Sequence, residues 1–97
     1  MASVTLSRPE AELFAARVLE WLCADAARLG AFMGATGAAS ADLRNVMRRP
    51  GFLLAVIDFL LADEGQLLAC CEELGVPPER PAQARAALPG GAEPHWT

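Results

Sequence analysis

Three cysteines, one histidine and three serines are the side chains of this sequence best suited to nucleophilic or metal chemistry, and their spacing serves neither. Cys70 and Cys71 are adjacent and Cys23 stands alone. Metal sites favour ligands separated by two or more residues, and neighbours on a helix diverge by about 100°. Free cysteine packs as a small hydrophobe, and that is the expectation for all three. His95 stands beside Trp96 near the end of the chain, with no identifiable partners for a catalytic triad. Ser7 and Ser40 stand where helices would begin, Ser3 lies close to the start, and no Gly-x-Ser-x-Gly elbow or phosphate-cradling glycine loop occurs. No catalytic residue, cofactor site or metal site is expected, and the chain reads as a non-enzyme.

Binding is better served. Trp21, His95 and Trp96 are candidate partner-binding residues, because tryptophan is favoured in interface hot spots. The alternative for the tail is that Trp96 docks on the chain's own core or that the tail stays unordered. Arg44, Asn45, Arg48 and Arg49 follow Ser40 closely and would line the second helix of a helix-turn-helix, where Arg and Asn suit base edges. The 12 acidic residues against 8 basic ones, net charge −4, weigh against nucleic acid as the partner. Asp58 interrupts the most apolar stretch of the chain and reads with Ala55 and Ala62 as a line able to face water or a close neighbour, most simply a solvent-facing stripe, with a catalytic or partner-binding carboxylate as the alternative.

Helix starts and stops position these residues. Ser7 with Glu10 forms a capping-box pattern, with Pro9 acceptable in the first turn. Leu13, Phe14, Val18, Trp21 and Leu22 follow at three- and four-residue spacing. Asp25 caps a second helix carrying Leu29, Phe32 and Met33, which Gly37 ends. Ser40 caps a third with Leu43, Val46 and Met47, ended by Pro50. Residues 52–61 are apolar nearly all round, which marks a central buried helix. Asp63 with Gln66 caps a fifth, through Leu67, Leu68, Cys70, Cys71 and Leu74 to Gly75. A sixth runs from about Glu79 to Leu88, with Pro81 in its first turn, and Pro89, Gly90 and Gly91 stop it.

Sliding the sequence by 38 residues lays one half on the other. Phe14, Val18, Leu22, Ala24, Asp25, Leu29, Ala31 and Gly37 meet Phe52, Val56, Leu60, Ala62, Asp63, Leu67, Ala69 and Gly75. The expectation is an all-α, compact bundle of about six short helices, built as two copies of a three-helix unit. An N-terminal extension covers 1–6 and a single helical domain covers 7–91, with halves at about 7–49 and 50–89. A C-terminal tail covers 92–97.

Composition supports this. Hydrophobic residues make up 54% of the 97 and charged residues 21%, with no Tyr and all eight basic residues Arg. Ala and Leu are strong helix formers, and strand-favouring residues are scarce. The early residues Arg8, Pro9, Glu10 and Glu12 exclude a signal-peptide pattern there. The apolar stretch at 52–61 falls short of the ~20 residues that span a bilayer. With three cysteines and no export pattern, a reducing cytoplasm is the expected location and no membrane is expected as a partner.

A set of short motifs adds a resemblance. Phe52-Leu53 through Val56, Asp58-Phe59-Leu60-Leu61, Asp63-Glu64, Leu88-Pro89-Gly90-Gly91 and Pro94-His95-Trp96-Thr97 carry it, with Leu29-Gly30, Phe32, Gly37 and Asp42-Leu43-Arg44. Together, from about Ala11 onward, these resemble a small helical family of alphaproteobacteria catalogued as domain of unknown function 3572. The resemblance implies a helical, cytoplasmic bacterial protein and assigns no activity or binding residue. The expected function is a protein-interaction module or small adaptor, binding an unidentified protein or a second copy of itself as a homodimer. The alternative is helix-turn-helix DNA binding through the helix after Ser40.

Overall fold

The first helix, α1 (Arg8–Cys23), starts on a complete capping box. The Glu10 amide donates to the Ser7 hydroxyl at 3.2 Å, and the Ser7 amide donates to the Glu10 carboxylate at 2.8 Å. Two of the four amides that a helix start leaves unpaired are thereby satisfied. These coordinates are a computed structural model, which describes residues 6–37 and 43–91. Serine 40, expected as a cap, lies outside the described residues, as does the tail from residue 92.

Five further helices follow: α2 (Ala26–Thr36), α3 (Leu43–Met47), α4 (Phe52–Leu61), α5 (Glu64–Leu74) and α6 (Arg80–Ala87). The described residues contain no strand. Asp25 accepts from the Ala27 and Arg28 amides at 2.9 and 3.1 Å, and Asp63 accepts from the Gln66 amide at 3.0 Å. Gly37 (φ 74°) and Gly75 (φ 71°) close α2 and α5 in the left-handed region, which an L side chain adopts only with strain.

Helix α4 is the pivot. Val56, Ile57 and Leu60 are fully buried, and α4 packs against each of the other five helices. Helix α6 lies across both α1 and α4, α2 and α5 flank that pair, and α3 rests on α4. From α1 the core receives Phe14, Val18, Trp21 and Leu22. Leu6, expected in an extension, packs against the same cluster from just before the Ser7 cap.

The packing does not confirm a duplication. Residues aligned at an offset of 38 share burial, with Val18 and Val56, and Leu22 and Leu60, fully enclosed. Ala24 and Ala62 end their helices with nearly the same backbone, φ −73°, ψ −11° and φ −72°, ψ −16°. The third elements differ: α6 wedges between α1 and α4, whereas α3 is one short turn whose main neighbour is α4.

Several expected core positions face water. Leu13 is 66% exposed, and Met47 and Leu68 are also largely exposed. Leu13 lies about 100° around α1 from Phe14, on the side away from Val18, and Leu68 is turned in the same way from the Cys70–Cys71 face of α5. Cys23, expected to be buried, is exposed because it lies on the face of α1 opposite the core. Helix α2 turns Gly30 and Gly34 outward with open space beside both.

Two stability outcomes follow from this packing. Leu60→Ala is expected to cost about 2–5 kcal/mol, a large part of the roughly 5–15 kcal/mol that holds a small domain. Gly30→Ala and Gly34→Ala should each stabilise by about 0.5–1 kcal/mol, since the methyl meets nothing and the unfolded chain loses freedom. Urea unfolding of the three variants checks both directions.

Candidate interaction groove

The side chains that link distant helices define which surfaces remain available. The Trp21 indole is only 6% exposed. Its Nε1 donates to a Glu73 carboxylate oxygen at 2.8 Å, and the Arg28 guanidinium lies 3.7 Å from its ring centre. Arg17 donates to the Leu74 carbonyl at 2.9 Å. Trp21 therefore joins α1, α2 and α5 as a packed residue. Trp21, a candidate partner-binding residue by its type, has both its polar edge and a ring face engaged within the fold.

Asp58 stands with Ala55 and Ala62 on a partly open face, its side chain 44% exposed, and it also has a close neighbour: its carboxylate accepts from Arg85 Nε at 2.6 Å. Arg85 Nη1 donates at 2.6 Å to the Gly91 carbonyl, so one guanidinium ties α4, α6 and the turn after α6 together. Only glycine fits at 91, because a Cβ there would stand 1.7 Å from the Arg85 carbonyl oxygen.

A groove of about 510 Å³ opens between the end of α2, α3 and one face of α4. Its floor is Phe52, Ala55 and Phe59 of α4 and Ala62 at its end, with Ala35 and Val46 also lining it. Phe32, fully buried beneath, meets Phe52 and Phe59 edge-on, with ring centres 6.0 and 5.3 Å apart. Aromatic pairs in that geometry hold one another in place. The polar lining side chains are Thr36, Arg49 and Asp58. The Thr36 hydroxyl turns back to its own helix, donating to the Phe32 carbonyl at 2.9 Å. Asp58 is taken by Arg85, which leaves Arg49 as the polar lining side chain with no partner among the described residues. An apolar floor with a cation at its rim suits binding of an apolar anchor that carries a nearby negative charge.

Arginine usage sharpens this. Arg8 pairs with Glu12, Arg17 with a backbone carbonyl, Arg28 with Trp21, Arg80 with Gln83 and Arg85 with Asp58. Arg44, Arg48 and Arg49 are exposed and make no ion pair or side-chain hydrogen bond among the described residues. Asn45 is exposed beside them. The expected recognition helix is much shorter than the spacing implied: α3 ends at Met47, so Arg44 and Asn45 lie on it while Arg48 and Arg49 lie in the following turn. His95 and Trp96, the other expected partner-binding residues, lie outside the described residues.

The family described as protein of unknown function (DUF3572) matches residues 8–91. The chain belongs to this family. The family match starts with α1 and ends at Gly91, the residue gripped by Arg85. It therefore begins before Ala11, and Pro94-His95-Trp96-Thr97 fall outside it. No curated protein matches the chain, and no solved structure matches it. Among the described residues no helix is long and apolar enough to cross a membrane, and no cluster of His, Cys, Asp and Glu is placed to hold a metal ion.

The groove was partly legible. Ala55, Asp58 and Ala62 stood out as the interruption in the apolar surface around residues 52–61, and they line it. Arg85, 27 residues from Asp58, carried no local signal.

Cys70 and Cys71 are buried, and burial, reinforced by the neighbouring Cys71 thiol, pushes Cys70 up from 9.0 to about 11. Burial also raises Cys71. The folded state keeps its proton where the unfolded state loses it, so the thiol's contribution to stability is constant below about pH 9 and falls between about pH 9 and 11. The chain has no Lys and no Tyr to titrate in that window. Denaturation across the range should show the fall, and Cys70→Ala should reduce it. At the turn, Gly91→Ala should cost about 1–3 kcal/mol by forcing the backbone from the Arg85 carbonyl, read as a lower urea midpoint.

Proposed function

We propose that this protein is a non-enzymatic interaction module of the bacterial cytoplasm that binds an acidic, amphipathic segment of a partner protein in the groove between α2, α3 and α4. The observation that carries the reading is the pairing of an apolar, aromatic-backed floor with three arginines that the described fold leaves unengaged. Arginines without a structural task, gathered within six residues, concentrate positive potential on a chain whose net charge is −4. A helix or extended segment would place an apolar side chain on Ala55 and Phe59 and its carboxylates against Arg44, Arg48 and Arg49.

The second reading is nucleic acid, favoured by the same arginines with Asn45. A helix as short as α3 offers base edges few side chains, and binding of that kind rests on phosphate contacts with a steep salt dependence.

Affinity capture of the tagged chain from a bacterial lysate, with and without nuclease, separates the two. The module reading expects a protein partner that survives nuclease and whose recovery drops about tenfold, roughly 1.4 kcal/mol of binding, when Arg44, Arg48 and Arg49 are all changed to Ala. Recovery that disappears with nuclease, or that the triple variant leaves unchanged, overturns it.

A further inference from the structure

We infer that the acidic segment seated in the groove belongs to a second copy of this chain: the outer face of α5, with Leu68 on the apolar floor and Glu72 toward Arg49, exchanged reciprocally in a two-fold dimer. The inference rests on the groove being a site for an acidic, amphipathic segment and names that segment.

Helix α5 carries the required chemistry on its outer face. Leu68 is 47% exposed, one of three large hydrophobic side chains left open among the described residues. Glu64 and Glu72 stand one helical turn before and after it, both exposed and both without an ion pair among the described residues. Side chains four apart share a helix face, so the stripe reads carboxylate, apolar anchor, carboxylate. Gly65 and Ala69, also exposed, lie beside it and let another surface come close. The other two open hydrophobic side chains have no such flanks. Leu13 stands between Glu10, which is held by the Ser7 amide, and the cation Arg17. Met47 stands among the arginines themselves.

Position and length also match. Ala62 ends the groove and Glu64 opens α5, and Ala62, Asp63 and Glu64 are all exposed, so stripe and groove adjoin on one surface. A two-fold axis near this junction lays each α5 across the other copy's groove, as a self-complementary patch requires. The floor from Ala62 back to Phe52 is about 15 Å of helix rise, and the stripe from Glu64 to Glu72 is about 12 Å. Counted outward from the junction, Leu68 falls over Phe59 and Ala55, and Glu72 reaches the far end. Arg49 lines both the groove and a smaller depression of about 280 Å³, so it stands where the two meet. The junction at Ala62, rather than Arg49, therefore selects the groove. Reciprocal exchange seats two helices per dimer and doubles the surface that one short helix buries alone. Copies of net charge −4 repel each other as wholes, so the local pairing of carboxylate with arginine sets the register.

Sedimentation equilibrium of the full chain tests this. The expected result is a reversible monomer–dimer equilibrium that Glu72→Arg or Arg49→Glu alone weakens by about tenfold. An equal mixture of those two single variants should recover the dimer, because each α5 then meets a groove of opposite charge. Leu68→Ser should weaken association as well. All three changes are at exposed positions, and unchanged circular dichroism checks that each variant keeps its helices. A chain that stays monomeric up to about 1 mM overturns the inference. Dimers indifferent to the charge reversals, or a mixture that associates no better than its parts, place the contact elsewhere and overturn it. Open-ended growth with concentration overturns the reciprocal exchange and the inference with it. A monomeric chain whose capture of another protein still depends on Arg44, Arg48 and Arg49 removes this inference and leaves the module reading standing.

Discussion

Helix α4 has no polar face to turn toward water: of its ten residues only Asp58 is charged, and Val56, Ile57 and Leu60 are fully enclosed. A helix of that composition must be covered on every side, and the remaining helices are arranged to do so. Helices α1 and α6 cover it along most of its length, α2 and α5 flank it, and α3 closes one end. Where α3 and the end of α2 diverge, the cover is incomplete and the groove is left. Fold and candidate site thus share one cause, the need to enclose an apolar helix with short elements.

Polar contacts between helices then decide which charges remain for other work. Three of the eight arginines, Arg17, Arg28 and Arg85, join different helices, while Arg8 and Arg80 pair with Glu12 and Gln83 on their own helices. Arg85 is the most connected of them, joining α4 to the turn at Gly91. The three arginines between 44 and 49 lie on the shortest helix and its following turn, where no acidic neighbour is within pairing distance among the described residues. The result is a positive edge beside an apolar depression on a protein that is acidic as a whole.

The sequence exposes local rules more readily than long-range ones. Ser7, Asp25 and Asp63 act as caps and Gly37 and Gly75 as stops because each forms bonds within a few residues of itself. The central position of α4 was legible for a similar reason, since its composition alone forces burial. The exposure of Leu13, Leu68 and Cys23 was legible in principle from their angle around the helix, but their apolar character concealed it. The role of Trp21 depended on Glu73, 52 residues away, and that of Asp58 on Arg85, 27 away. No local pattern announces such pairings. The glycine demanded at 91 follows from the approach of the Arg85 backbone, which only packing reveals.

The central claim, that α4 is the enclosed pivot and α3 its loosely held cover, is tested most directly by native-state hydrogen exchange. Amides of Val56, Ile57 and Leu60 should exchange only through global unfolding, at the same free energy as those of Val18 and Leu22. Amides between Arg44 and Arg49 should exchange through far less costly local opening. Equal protection of α3 and α4, or rapid exchange within α4, would contradict the account.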